Sequence, residues 1–360
     1  MPTWPPLTSV ARGRTLASRR GDIAIEVLET IRALLGKARA TPTKEAIWAR
    51  IAADGDGSAL RPGQEYFEVR VERIKIANER EWLSQYAPVA MAAAEFSYAG
   101  ESVVVPTVIG PQMIEKLGMP APDDAVIANT RVAGPHPLHG QVTVSVVLHR
   151  VERGKIYEPL LSAIEGASTA LELAAGIVPY ANVARVVLSG VGAVTGGDRP
   201  LLGRRDEFQP VEPGIFALID PDANVDKNAL SVEDRTLHHD GEPLEGVDYV
   251  LYSISRGAPE DVDVTRLPFQ PLWRSVLDDA AKSALPQYWD SAKANMAALM
   301  GMLYTSNDLT PSHRDALISE RIETVKALHE QVVGIGVLSG DLAQPALDEA
   351  HARSLAMLEL

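Results

Sequence analysis

Residues 66–76 read Tyr66-Phe67-Glu68-Val69-Arg70-Val71-Glu72-Arg73-Ile74-Lys75-Ile76. Phe67, Val69 and Val71 alternate with Glu68, Arg70 and Glu72, a period of two that puts the apolar side chains on one face of a strand. Ile74 and Ile76 continue the alternation one residue out of phase. A β-bulge near Glu72-Arg73, one extra residue that restores the facing, reconciles the two halves. The stretch therefore predicts a long strand, and with it a β-rich centre for the chain.

The same signature recurs outward from this point. Strands are expected at Ser102–Val108, Ala125–Val132 and Gln141–Val151, the last being the strongest because Val142, Val144, Val146 and Leu148 mark one face. Pro106, Gly110-Pro111, Pro120, Pro122, Gly134-Pro135 and Pro137 punctuate them, as turn chemistry requires. Gly214–Asp220, Leu230–Leu237 and Val247–Arg256 follow as further strands. Short strands separated by turn residues predict a sandwich-like or mixed sheet, not a doubly wound parallel fold.

Helical periodicity appears at both ends. Asp22 is placed to cap a helix over 22–38 whose Ile23, Val27, Ile31, Leu34 and Leu35 share a face. A second helix is expected after Thr43, with Ile47, Trp48 and Ile51 as its apolar contacts. From Pro271 onward Trp273, Val276 and Leu277 begin one helix. Trp289, Ala292, Met296, Leu299, Met300 and Leu303 form another, Leu317, Ile318, Ile322, Val325 and Leu328 a third, and 342–358 a fourth, together a small bundle. The expected fold class is thus α+β: an amino-terminal arm and helices at 1–62, a central β-rich domain at 63–268 with an inserted buried helix, and a carboxy-terminal helical region at 269–360.

The insert, residues 156–194, ends in the run LELAAGIVPYANVARVVLSGVGAV from Leu171 to Val194, whose only charged residues are Glu172 and Arg185. Its nine larger aliphatics gain roughly 4 kcal/mol on membrane insertion, and a central arginine costs about 3. Pro179, Asn182, Ser189 and the glycines remove the remainder. The reading is a buried helix over 158–177, a break at Pro179 and a buried strand through Val183, Val186, Val187 and Leu188.

Composition narrows the function classes. A formal charge of −14 works against nucleic-acid binding, which needs a basic face to displace counterions. Arg12, Arg14, Arg19 and Arg20 in the amino-terminal arm read as a solvated tail. No cysteine is present, which removes disulfides, thiolate catalysis and cysteine-ligated metals. The start of the chain lacks a signal-peptide pattern, so a cytoplasmic setting is expected. The excess of arginine over lysine, with abundant alanine, is associated with GC-rich bacterial genomes.

One constellation carries metal chemistry. Asp220, Asp222, Asn224 and Asp226 place oxygen side chains at every second position after the strand Ile215–Asp220, a donor set that suits Ca2+. The match to an EF-hand loop stops at Val225, which stands where glycine is needed, and at Ser231, which stands where the final carboxylate belongs. A second acidic run, Asp54-Gly55-Asp56-Gly57-Ser58, fails in the same way at Ala59. His136, His139, His149, His238, His239, His313, His329 and His351 fall into no HExxH pattern and read as turn and surface residues. The glycines at 190, 192, 196 and 197 lead into Asp198-Arg199-Pro200, which opens no helix to hold a pyrophosphate. No phosphate-binding P-loop and no Gly-x-Ser-x-Gly nucleophile elbow occurs.

These observations favour a non-enzymatic cytoplasmic component that binds another protein. One alternative is a membrane-active effector whose segment 157–194 is released by cleavage or partner loss, with Arg199, Arg204 and Arg205 as cleavage sites in a loop over 197–209. Another is a metal-dependent hydrolase built on the Asp220–Asp226 loop with His238 or His239.

Overall fold

The computed structural model describes residues 46–51, 57–77, 80–81, 84–110, 125–152 and 201–338. The helices expected at 22–38, 158–177 and 342–358, the strand at 183–188 and most of the Asp54–Ser58 run lie outside the described residues.

The described chain is a β-rich α+β fold of antiparallel strands and three α-helices. The first sheet runs β1 (Ile47–Ile51), β9 (Gly214–Ile219), β13 (Tyr249–Gly257), β2 (Tyr66–Lys75) and β6 (Ala125–Pro137). The second is built on β4 (Ser84–Tyr98), which pairs β5 (Glu101–Ile109) on one side and β7 (Val142–Glu152) on the other. β7 carries β8 (Leu202–Phe208), and β3 (Arg80–Glu81) pairs the start of β4. A small third sheet of β10 (Leu230–Glu233), β11 (Thr236–His239) and β12 (Glu242–Pro243) folds against the first.

The bulge in β2 is present. Tyr252 of β13 pairs Val71 and Leu251 pairs Arg73, so Glu72 is the extra residue. The inserted residue keeps Phe67, Val69, Val71, Ile74 and Ile76 in one buried cluster. That cluster joins both sheets: Ala90, Ala92, Ala94 and Phe96 of β4 and Val142, Val144, Val146 and Leu148 of β7 meet Phe216, Leu218, Val250, Tyr252 and Ile254. Burying so many β-branched and aliphatic side chains, each worth about 1.5–3 kcal/mol, holds the layers together. On the other face of the first sheet, Leu230 and Leu237 of the small sheet cover Ala49, Ile51, Ala217, Ile219, Tyr249 and Leu251.

The helices α1 (Gln270–Ala281), α2 (Pro286–Tyr304) and α3 (Pro311–Leu338) follow the i, i+3, i+4 pattern read from the sequence. Their shared core contains Val276, Ala280, Ala292, Met296, Leu299, Leu303, Leu317, Ile318, Val325 and Leu328. Met296 is 8% exposed within it, core filler as methionine often is. No helix among the described residues is long and apolar enough to cross a membrane.

Three sequence expectations are corrected, and one strand is new. Ile47, Trp48 and Ile51 lie on strand β1, not on a helix, in register with Ile219, Leu218 and Ile215. The strand expected over 230–237 is a hairpin, turned at Asp234 and Arg235, both at positive φ. The loop expected over 197–209 contains strand β8. Its Arg204 and Arg205 are held by Asp206 and Glu95 at 2.5 and 2.9 Å. Finally, β4 carries no strand signal in the sequence and is the longest strand among the described residues at 15 residues.

Candidate functional site at the joint of sheet and helices

The helices meet the first sheet at the start of β2. Tyr66 opens that strand and pairs Pro137 of β6 and Gly257 of β13. Both neighbours approach closely because a side chain is missing. A Cβ on Gly134, whose φ is +94°, would lie 2.3 Å from the Phe67 carbonyl oxygen, and one on Gly257 would lie 2.9 Å from Pro135 Cβ. This close approach carries His136 over the end of the sheet, where its ring stacks on Phe96 at 5.0 Å and meets Tyr98 edge-on at 6.4 Å. Tyr98 closes β4 just before the tight turn at Ala99 and Gly100, both at positive φ.

From the helical side, the turn between α2 and α3 supplies Asp308 and Thr310, and the first turn of α3 supplies His313. The Tyr66 hydroxyl lies 2.9 Å from His313 Nδ1, accepts from the Thr310 backbone N–H at 2.9 Å and has the Asp308 carbonyl oxygen at 3.5 Å. Beside it the Tyr98 hydroxyl donates to Asp308 Oδ1 at 2.7 Å. Two tyrosines from two sheets thus clasp one short turn.

The electrostatics follow from burial. Desolvation pushes the hydroxyls of Tyr66 and Tyr98 up, and for Tyr98 the neighbouring Asp308 carboxylate adds to the rise. Asp308 is itself raised by burial, against the lowering bond from Tyr98. His313 is lowered by burial, with Glu260 and Glu320 opposing. His136 is lowered to about 4 by burial and by the nearby Arg131 guanidinium. Both histidines are neutral at physiological pH.

A second polar network lies inside the β layers. The Tyr252 hydroxyl donates to Asp206 Oδ2 at 2.8 Å and accepts from Trp48 Nε1 at 3.1 Å, and Arg204 Nε pairs Asp206 Oδ1 at 2.5 Å. Arg204 also stands over the Trp48 ring, and Trp48, Phe216 and Tyr252 form a stack. Every buried polar group in this set has a partner, the condition under which such networks are tolerated.

The structure spreads the oxygen ligands read from the sequence along one turn. Asp220 Oδ1 accepts from the Asp222 N–H at 2.8 Å, and Asp226 Oδ1 caps a short 3-10 turn through the Asn228 N–H at 3.0 Å. Asn224 and Asp222 stand on the same exposed turn. The Asp226 N–H donates to His239 Nε2 at 3.0 Å, and His238 lies 3.2 Å from the Thr236 carbonyl. These are the local bonds by which Asp and Asn hold turns. Among the described residues, no three His, Asp or Glu side chains are grouped to hold a metal ion.

Tyr66, Tyr98 and Asp308 carry no motif, and His136 and His313 read as turn and surface residues in the sequence. Tyr66 and His313 are separated by 247 positions, so no linear spacing could have paired them. Comparison of the chain with protein-family models, with curated proteins and with solved structures finds no match.

Proposed function

We propose that the chain is a cytoplasmic binding component for another protein, with the helical region as its contact element and no catalysis of its own. The observation that carries this reading is where apolar surface is exposed. Of the large hydrophobic side chains exposed among the described residues, Leu285, Met302, Tyr304 and Val333 belong to the helical region and only Leu201 lies elsewhere. On α2 the outward positions Ala294, Ala297, Ala298, Gly301 and Met302 are exposed and uncharged, at the i, i+3, i+4 spacing of a single helix face. Solvent-facing helices ordinarily carry charge there, and helix-in-groove recognition uses such faces.

A photo-crosslinking residue at Ala298 of the intact chain, expressed in its native cells, tests this. The expected result is one recurrent protein adduct, absent when the same group replaces Lys326 and lost on Ala298→Arg without a change in Tm. Adducts of equal intensity at both positions, or none, overturn the reading.

A further inference from the structure

We infer that the joint between the first sheet and the helices is an acid-sensitive latch, closed while His313 is neutral and released when it takes up a proton. The inference stands on the joint itself and does not depend on the proposed partner. Its basis is a count of protons. The Tyr66 hydroxyl has one hydrogen to donate, and its oxygen already accepts the Thr310 N–H at 2.9 Å. The short 2.9 Å contact to His313 Nδ1 is satisfied when the hydroxyl donates to a bare ring nitrogen, which places the imidazole proton on Nε2. A proton arriving on Nδ1 sets two donors against each other. Tyr66 would then have to accept from both Thr310 and His313, and its own hydrogen would face only the Asp308 carbonyl at 3.5 Å, beyond good hydrogen-bond reach.

The surroundings do not rescue the charged form. Facing His313 are Tyr66 from β2, Asp308 and Thr310 from the preceding turn, Glu260 from the 3-10 turn Pro259–Asp261, and Glu320 from its own helix. Glu65, next to Tyr66, is engaged by Arg256 at 3.1 Å. Glu260 and Glu320 favour a protonated ring, yet burial outweighs them and holds His313 below its ordinary 6.5. His136 works in the same direction from the sheet side, against Phe67, Phe96, Tyr98 and the Arg131 charge. Asp308 works in the opposite one. Its carboxyl is raised, and its protonated form still offers an oxygen to Tyr98. Acid therefore cuts the histidine links first and leaves the Tyr98 contact as a tether. The sign is fixed by linkage: a group held below its free value favours docking above 6.5 and loses that contribution as pH falls toward its docked value.

Hydrogen exchange of the full chain at pH 7.5 and 5.5, corrected for intrinsic rates, tests the latch. Amides of residues 308–318 should open severalfold more at pH 5.5, up to the roughly tenfold that a free imidazole value of 6.5 allows between the two pH values. Those of β13 should not change. His313→Gln keeps an acceptor for the Tyr66 hydroxyl and cannot charge, so its acid rise should fall well below that of the wild type, to what His136 alone contributes. Tyr66→Phe should open more than the wild type at pH 7.5, because the bonds to Thr310 and His313 are gone, and should show a smaller acid rise than the wild type, the burial of His313 alone remaining. The inference is overturned if the wild type opens equally at both pH values, if His313→Gln shows the same acid rise, if Tyr66→Phe remains closed at pH 7.5 or responds to acid as the wild type does, or if β13 opens in parallel.

Discussion

Two tyrosine–aspartate bonds of nearly equal length, Tyr252–Asp206 at 2.8 Å and Tyr98–Asp308 at 2.7 Å, serve two different regions of the molecule. Inside the β layers the carboxylate also meets Arg204, and the tyrosine also receives the Trp48 N–H. At the joint Asp308 has no ion pair among the described residues, and titratable histidines stand beside it. The first pair is neutralised by a guanidinium whose Nε meets Asp206 Oδ1 at 2.5 Å. The second is exposed to pH. The same donor and acceptor therefore make a fixed rivet in one place and an adjustable contact in the other.

The sharpest way to break this contrast is to remove the rivet. Asp206→Ala leaves the buried Tyr252 hydroxyl and the half-buried Arg204 guanidinium without their acceptor, and unfolding in denaturant should show a loss of about 3–4 kcal/mol. A loss below about 1 kcal/mol would mean that the network is no more demanding than the joint. Next in size is Gly134→Ala. The new methyl meets the Phe67 carbonyl and adopts a φ foreign to alanine, so about 2–4 kcal/mol is expected from strain and overpacking, with the Tyr66 and His136 contacts disturbed together.

Two smaller effects separate the pairs by their pH response. His136 has a folded-state value of about 4 against 6.5 unfolded. Its contribution is complete above 6.5 and is lost as pH falls through about 4; allowing for its partial exposure, about 2 kcal/mol is involved. Denaturation from pH 7.5 to 4.0 should show that loss in the wild type and a flatter curve in His136→Phe. Tyr98→Phe removes the donor to Asp308 and should cost about 1–2 kcal/mol at neutral pH. That cost should shrink in acid as the raised Asp308 carboxyl protonates, whereas Tyr252→Phe should show no such relief. The smallest effect is expected at Asp226→Ala, where loss of a cap on an exposed 3-10 turn costs about 0.5–1 kcal/mol.

What was legible in the sequence tracks where one rule acts alone. The β2 alternation and its bulge could be read because one face is apolar and the other charged, and the three helices because their apolar residues keep helical spacing. β4 was illegible because Ala90 and Ala92–Ala94 favour helix locally, and only pairing with β5 and β7 makes them extended. β1 misled because Ile47, Trp48 and Ile51 satisfy a helical face over so short a window. β8 misled because Arg204, Arg205, Asp206 and Glu207 look solvated, while Asp206 is 8% exposed with its charge paired. The joint was out of reach for another reason: its members come from four strands and a helix turn, and each alone is an ordinary residue.

The 28 residues of α3 give it a length of about 42 Å. His313 sits in its first turn, so the latch lies at one end of a rigid rod. A tilt of about 10° there would carry the far tip through roughly 7 Å over that length. Through that lever a proton bound in the first turn would act along a helix whose Leu317, Ile318, Val325 and Leu328 lie in the core shared by all three helices.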